Sequence, residues 1–137
     1  MTLARIPTAL LAAAAFGVHA LAGSALAQTS AAPAAAPTRP HSLVASPDIY
    51  KVLAEDTRYR VILVTWKPGQ KDVMHSHPAS GVYYLNDCTL RNHLEDGSYT
   101  DGKPKAGMAR VQSPIRAHVI ENIGATECRL VMFEPVN

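Results

Sequence analysis

His75 and His77 stand two residues apart in the stretch Gly69-Gln-Lys-Asp-Val-Met-His-Ser-His-Pro78, and His118 follows in Pro114-Ile-Arg-Ala-His-Val-Ile-Glu-Asn122. On a β-strand, residues i and i+2 project from the same face, so the first pair can act together. A third histidine from another strand of a closed β-structure completes one face of a coordination shell. Neutral imidazole suits Zn, Cu, Fe and Ni, and three protein ligands leave positions open for water or substrate. The residue types and their spacing therefore point to an open metal site on a β-scaffold.

The elements that would carry these residues are short. The sequence predicts strands over Ile49–Ala54, Arg58–Trp66, Asp72–His77, Gly81–Leu85, Thr89–Leu94, Tyr99–Lys105, Ala109–Gln112, Ala117–Asn122 and Cys128–Glu134. Pro68-Gly69, Asn86-Asp87, Asp96-Gly97 and Asn122-Ile-Gly124 punctuate them as turns. No window has the period of an amphipathic helix. Short strands at this spacing predict an all-β sandwich or barrel, in which the two histidine segments meet through tertiary folding.

Upstream of the strands the composition changes twice. Arg5, the apolar run Ala9–Val18 and the small-residue site Ala25-Leu26-Ala27 read as a secretory signal peptide over 1–27, placing the mature protein in the periplasm or outside the cell. Residues 28–41 are Ala/Pro-rich and read as a disordered tether, with His41 solvated. Residues 42–137 suffice for one small domain. The leader contains one of the 13 Lys and Arg against 11 Asp and Glu, so the mature chain is nearly neutral. No basic patch suggests nucleic acid, and no second apolar span suggests a membrane after cleavage. A small-molecule substrate or ligand, a metal and a second copy of the chain are the expected partners, with Ile49–Ala54 as the pairing strand of a homodimer. Cys88 and Cys128 are the only cysteines. Export permits a disulfide, but nothing in the sequence brings them together, and two separate semi-buried thiols are the default expectation.

The two histidine segments resemble the paired motifs of the cupin superfamily, a double-stranded β-helix or jelly-roll barrel. Gly69, His75 and His77 match the first motif, and Gly107, Pro114, His118 and Asn122 the second. The resemblance runs from about Ile49 to Glu134. It is closest to small single-domain bacterial cupins with a Met-His-Ser-His-Pro core, such as those associated with β-alanine degradation. It implies a divalent transition metal held by His75, His77 and His118, with Fe(II) first and Mn, Ni, Zn or Cu as alternatives. The family's glutamate ligand would fall at Gly81 or Val82, neither of which can bind a metal. A three-histidine site, as in the thiol dioxygenase branch, is the implied replacement. It would serve a dioxygenase acting on a small organic substrate, or a non-catalytic module holding a metal or small ligand. Tyr83, sharing parity with Gly81, is the candidate catalytic residue, reaching substrate or bound water from the barrel wall. His93 is expected to be exposed or paired across strands, Asn122 to fix the turn after His118, and Arg110 and Arg116 to be solvated surface charges, with contact to an anionic substrate at the barrel mouth as the alternative.

Overall fold

The computed structural model describes residues 39–136; the expected signal peptide and most of the expected tether lie outside them. A single helical turn, α1 (Ser42–Ala45), precedes nine strands. These are β1 (Tyr50–Glu55), β2 (Tyr59–Trp66), β3 (His75–His77), β4 (Ser80–Tyr84), β5 (Leu90–His93), β6 (Tyr99–Gly102), β7 (Ala109–Gln112), β8 (Ile115–Asn122) and β9 (Cys128–Pro135). Every predicted strand is present, with ends shifted by a few residues, as hydrogen-bonded boundaries commonly are.

The strands form two antiparallel sheets, ordered β1-β2-β9-β4-β7 and β3-β8-β5-β6. The order is far from sequential, which is how a jelly roll brings distant segments together. Rows of paired residues run across the larger sheet. Arg110, Val82, Met132 and Ile62 form one such row on its inner face. Tyr84, Leu130, Val64 and Tyr50 form the adjacent row. Val82, Met132, Ile62, Tyr84, Leu130, Val64 and Tyr50 are all buried, and with Trp66 and Leu90 they make the core. The alternate residues Leu53, Tyr83, Val111 and Phe133 are exposed on the outer face.

Gly97, with φ +84°, makes the turn between β5 and β6 that Asp96-Gly97 predicts. Gly69, with φ +73°, turns the chain after β2 toward the histidines. Asn122, fully buried, holds the turn after β8. Its amide donates to the Trp66 and Thr126 carbonyls, and its oxygen accepts the Gly124 N–H.

Two expectations are corrected here. Cys88 and Cys128 are bonded to each other, so the expectation of two separate thiols fails. The bond ties the segment before β5 to the start of β9. Arg39, Pro40 and His41, expected in the tether, lie against the barrel. The Ser76 N–H donates to the Pro40 carbonyl, Arg39 pairs with Glu95, and His41 caps α1 by accepting the Leu43 N–H. Among the described residues, no helix is long and apolar enough to cross a membrane.

Candidate metal centre

β3 and β8 are hydrogen-bonded neighbours, and His75 sits directly opposite His118. The third histidine therefore comes from the strand adjacent to that of the first two. His75 and His77 share strand parity and both point inward, and all three histidines are buried. Their candidate ligand atoms lie within 4.8 Å of one another.

The other nitrogen of each ring decides what those atoms can do. His75 Nδ1 lies 2.7 Å from the Val73 carbonyl oxygen. A carbonyl only accepts, so the proton is on Nδ1 and Nε2 presents a lone pair. His118 Nδ1 lies 3.1 Å from Asn92 Oδ1, which fixes the same tautomer, and its Nε2 is buried without a partner. His77 Nδ1 faces Glu134 Oε2 at 3.7 Å while its Nε2 turns to His75 Nε2 at 2.9 Å. Backing groups of this kind orient the ligands in metal sites. Two nitrogens bound at right angles to one ion, each about 2.0–2.1 Å from it, would stand roughly 2.9 Å apart. Burial, and then the neighbouring His77, lowers the His75 pKa to about 4. Burial, and then His75 and His77, lowers that of His118 to about 3. Both rings are thus neutral at pH 7, the form a metal requires. The orphaned His118 nitrogen, the lone pairs that His75 and His118 turn inward and their two occupied Nδ1 atoms fit a divalent transition metal, with His77 Nε2 placed beside them.

A second set of groups supports the first. The Tyr50 hydroxyl and the Trp66 indole N–H donate to Asp72 Oδ2 at 2.8 and 3.2 Å, and the Ile120 N–H donates to Oδ1 at 2.7 Å. Burial raises the Asp72 pKa to about 6 despite these three donors. The Tyr50 oxygen, its proton committed to Asp72, lies 3.1 Å from His75 Nε2. Tyr50, at 2% exposure, is the tyrosine beside the histidines.

Tyr83 is not. It is 48% exposed, on the outer face of β4, and lines neither cavity described here. Strand alternation puts Val82 and Tyr84 inside and Gly81 and Tyr83 outside, so the inferred parity of Tyr83 with the missing ligand position points the wrong way. The position that faces inward is Val82, which the structure leaves apolar. His93 pairs with Glu121 at 2.8 Å across the β5–β8 ladder, away from the centre.

The sequence reading also missed Tyr50, Asp72, Asn92 and Glu134. For Glu134 a signal existed: it continues the alternation of Cys128, Leu130 and Met132, all inward. Its carboxylate is fully buried, with His41 Nε2 at 2.7 Å and Arg60 Nε at 3.8 Å from one oxygen. Burial alone would raise its pKa, but His41 and His77 outweigh that and lower it to about 2.

A small cavity of about 30 Å³ beside His77, His118 and Tyr50 offers room for an ion and a water-sized ligand. It adjoins a cleft of about 680 Å³ that opens to solvent.

The sequence matches no family model and no curated protein. Solved structures do share its fold. A cupin domain from Bordetella pertussis aligns with a TM-score of 0.60 at 19% identity, covering 74% of this chain and all of that one. The polyketide cyclase RemF from Streptomyces resistomycificus aligns at 0.52 and 16% identity, over 64% of each chain. A protein with a double-stranded β-helix domain from Klebsiella pneumoniae aligns at 0.50 and 22%, covering 65% of this chain and 84% of that one. At these identities the likeness concerns the fold, and on that ground the chain adopts the double-stranded β-helix of the cupin domains.

Proposed function

We propose that this chain is an exported metal protein in which His75, His77 and His118 hold a divalent transition metal, Fe(II) first, and that it oxidises a small organic molecule with O₂. The observation that carries the metal is the convergence of the three histidines with their Nδ1 atoms turned outward. The oxidation rests on the resemblance of the motifs to a three-histidine branch of the cupins. The structural neighbours do not choose the reaction, since the same fold carries a polyketide cyclase.

When bound, a divalent ion would supply Lewis-acid or one-electron redox chemistry with positions open to ligands. The chain's own residues do the rest. Val73 and Asn92 hold the His75 and His118 imidazoles in one tautomer, and Glu134 places a negative charge behind the His77 ring. The Tyr50 oxygen can accept a hydrogen bond from a water or substrate proton in the inner cavity. Leu130, Met132 and Val82 give that cavity an apolar lining. A second reading, a non-catalytic binding module, is favoured by one observation. Asp72 and Glu134, the carboxylates nearest the histidines, are both committed behind the rings, and neither lines the inner cavity as a base.

Metal analysis of the protein purified from its own exported compartment tests the first claim: about one transition-metal ion per chain is expected, and none would overturn it. Oxygen uptake by the Fe(II)-loaded protein across a panel of small thiols and catechols separates the two readings. Uptake supports the oxygenase, and tight metal with no uptake supports the module.

A further inference from the structure

We propose that the cleft above the histidines takes a small organic carboxylate and that Arg110 is the group that binds it. This names the ligand class of the proposed metal centre and rests on that reading only for which end of the ligand faces inward.

Arg110 belongs to the inner face by register. It pairs with Val82, which pairs in turn with Met132, and both are buried. Arg110 lines both cavities: with Tyr84, Leu90, Gln112, His118 and Ile120 it borders the small chamber at the histidines and the large cleft outside it. The guanidinium therefore stands where the cleft narrows to the metal position. It lies over the Tyr84 ring, 5.9 Å from its centre, and its charge is among those that depress the His118 pKa.

What Arg110 lacks is an anion. Among the described residues, no carboxylate lies within ion-pair distance of it, although most arginines here have one: Arg39, Arg58, Arg60, Arg91 and Arg129 all pair with acids. The cleft does contain a carboxylate, Asp101, but Arg91 grips both its oxygens at 2.7 and 2.9 Å. Lys103, also in the wall, has no acid partner among the described residues either. The other polar wall groups are partly committed: Asn92 Oδ1 to His118, and the Gln112 amide N–H to Ser80. The uncommitted charge of the cleft is positive, before any metal adds more.

A planar guanidinium binds a carboxylate through two parallel hydrogen bonds. Leu90, Ile120 and Met108 offer apolar contact for the rest of such a ligand, and the volume suits a small molecule. A doubly charged phosphate is the poorer match, because no helix N-terminus lines the cleft to add backbone donors.

The test uses benzoate against its neutral isostere benzamide, with binding to the mature protein followed by calorimetry in metal-free and metal-loaded samples. Benzoate should bind the wild type and benzamide at least about tenfold more weakly. Arg110→Gln should weaken benzoate by a similar factor and Arg110→Lys by less, with metal content unchanged in both. Equal binding of the two probes to wild type, no binding of benzoate at all, or undiminished benzoate binding by Arg110→Gln would overturn the proposal. The metal-free samples keep the outcomes apart. A charge preference that depends on Arg110 without metal stands even if the histidines hold no ion, and loss of metal binding by wild type is a failure of the metal reading alone.

Discussion

On one side of the His77 ring, Nε2 meets His75 Nε2 at 2.9 Å beside His118; on the other, Nδ1 faces Glu134, which is met by His41 and Arg60. One side gathers three imidazoles and the other two imidazoles and a carboxylate, each set closely enough to hold a metal ion. They differ in where the ring protons lie. His75 and His118 spend their Nδ1 protons on Val73 and Asn92, which frees Nε2 as a lone pair. His41 does the reverse. Its Nδ1 accepts the Leu43 N–H, so its proton sits on Nε2, 2.7 Å from Glu134 Oε1. One side is a set of ligands, and the other sets the His41 and Arg60 nitrogens around a buried carboxylate. Residue type alone does not distinguish the rings; the tautomer does, and the hydrogen bond on the far nitrogen sets the tautomer.

The largest effects should come from the ligand side. His75→Ala, His77→Ala and His118→Ala should each abolish stable metal binding, measured as metal content after dialysis, while His93→Ala should leave it unchanged. Full metal retention in any of the first three would dissolve the distinction between the two sides. On stability, the large term is the bond between Cys88 and Cys128, which closes a loop with a sequence separation of 40. Its reduction should cost about 4 kcal/mol in denaturant unfolding. Metal affinity in the folded protein should be little altered, because Cys128 is at the opposite end of β9 from Glu134.

Glu134→Gln probes the supporting side. It keeps the shape but removes the charge behind His77, and metal affinity should fall about ten- to a hundredfold without vanishing. Total loss would instead make Glu134 a ligand. Acid should act more gradually. In the metal-free protein, unfolded histidines take up protons near pH 6.5, while folded His75 and His118 resist until about 4 and about 3. The unfolded state binds more protons in that window, so stability is lost as pH falls through it. Asp72, raised to about 6, offsets part of this below pH 6, because there the folded state takes up the extra proton. A pH-independent melting temperature between 6.5 and 4 would contradict the burial of the two rings. The smallest change is expected from His41→Ala. It removes an α1 cap worth about 1 kcal/mol and should weaken metal binding by only a few-fold. An effect as large as that of His77→Ala would mean that the Glu134 cluster holds a metal of its own.

The nine strands were legible because alternation and turn residues are local signals, and the histidine set because His75 and His77 share strand parity while His118 lies in a matching second segment. Glu134 was legible in principle by the same parity. Tyr83 shows where parity fails. Tyr83 and Tyr84 are adjacent and chemically alike, and β4 offers no polar alternation strong enough to say which faces inward. Pairing with β9 makes that choice, and a shift of one residue reverses it. Local sequence thus fixed which segments are strands and which residue types could bind a metal. Only the tertiary structure could join Cys88 to Cys128, seat Tyr50 and Asp72 behind His75, bring His41 to Glu134 and leave Arg110 facing the cleft without an acid. Each of these depends on contacts between segments distant along the chain, and the non-sequential strand order of the two sheets creates those contacts.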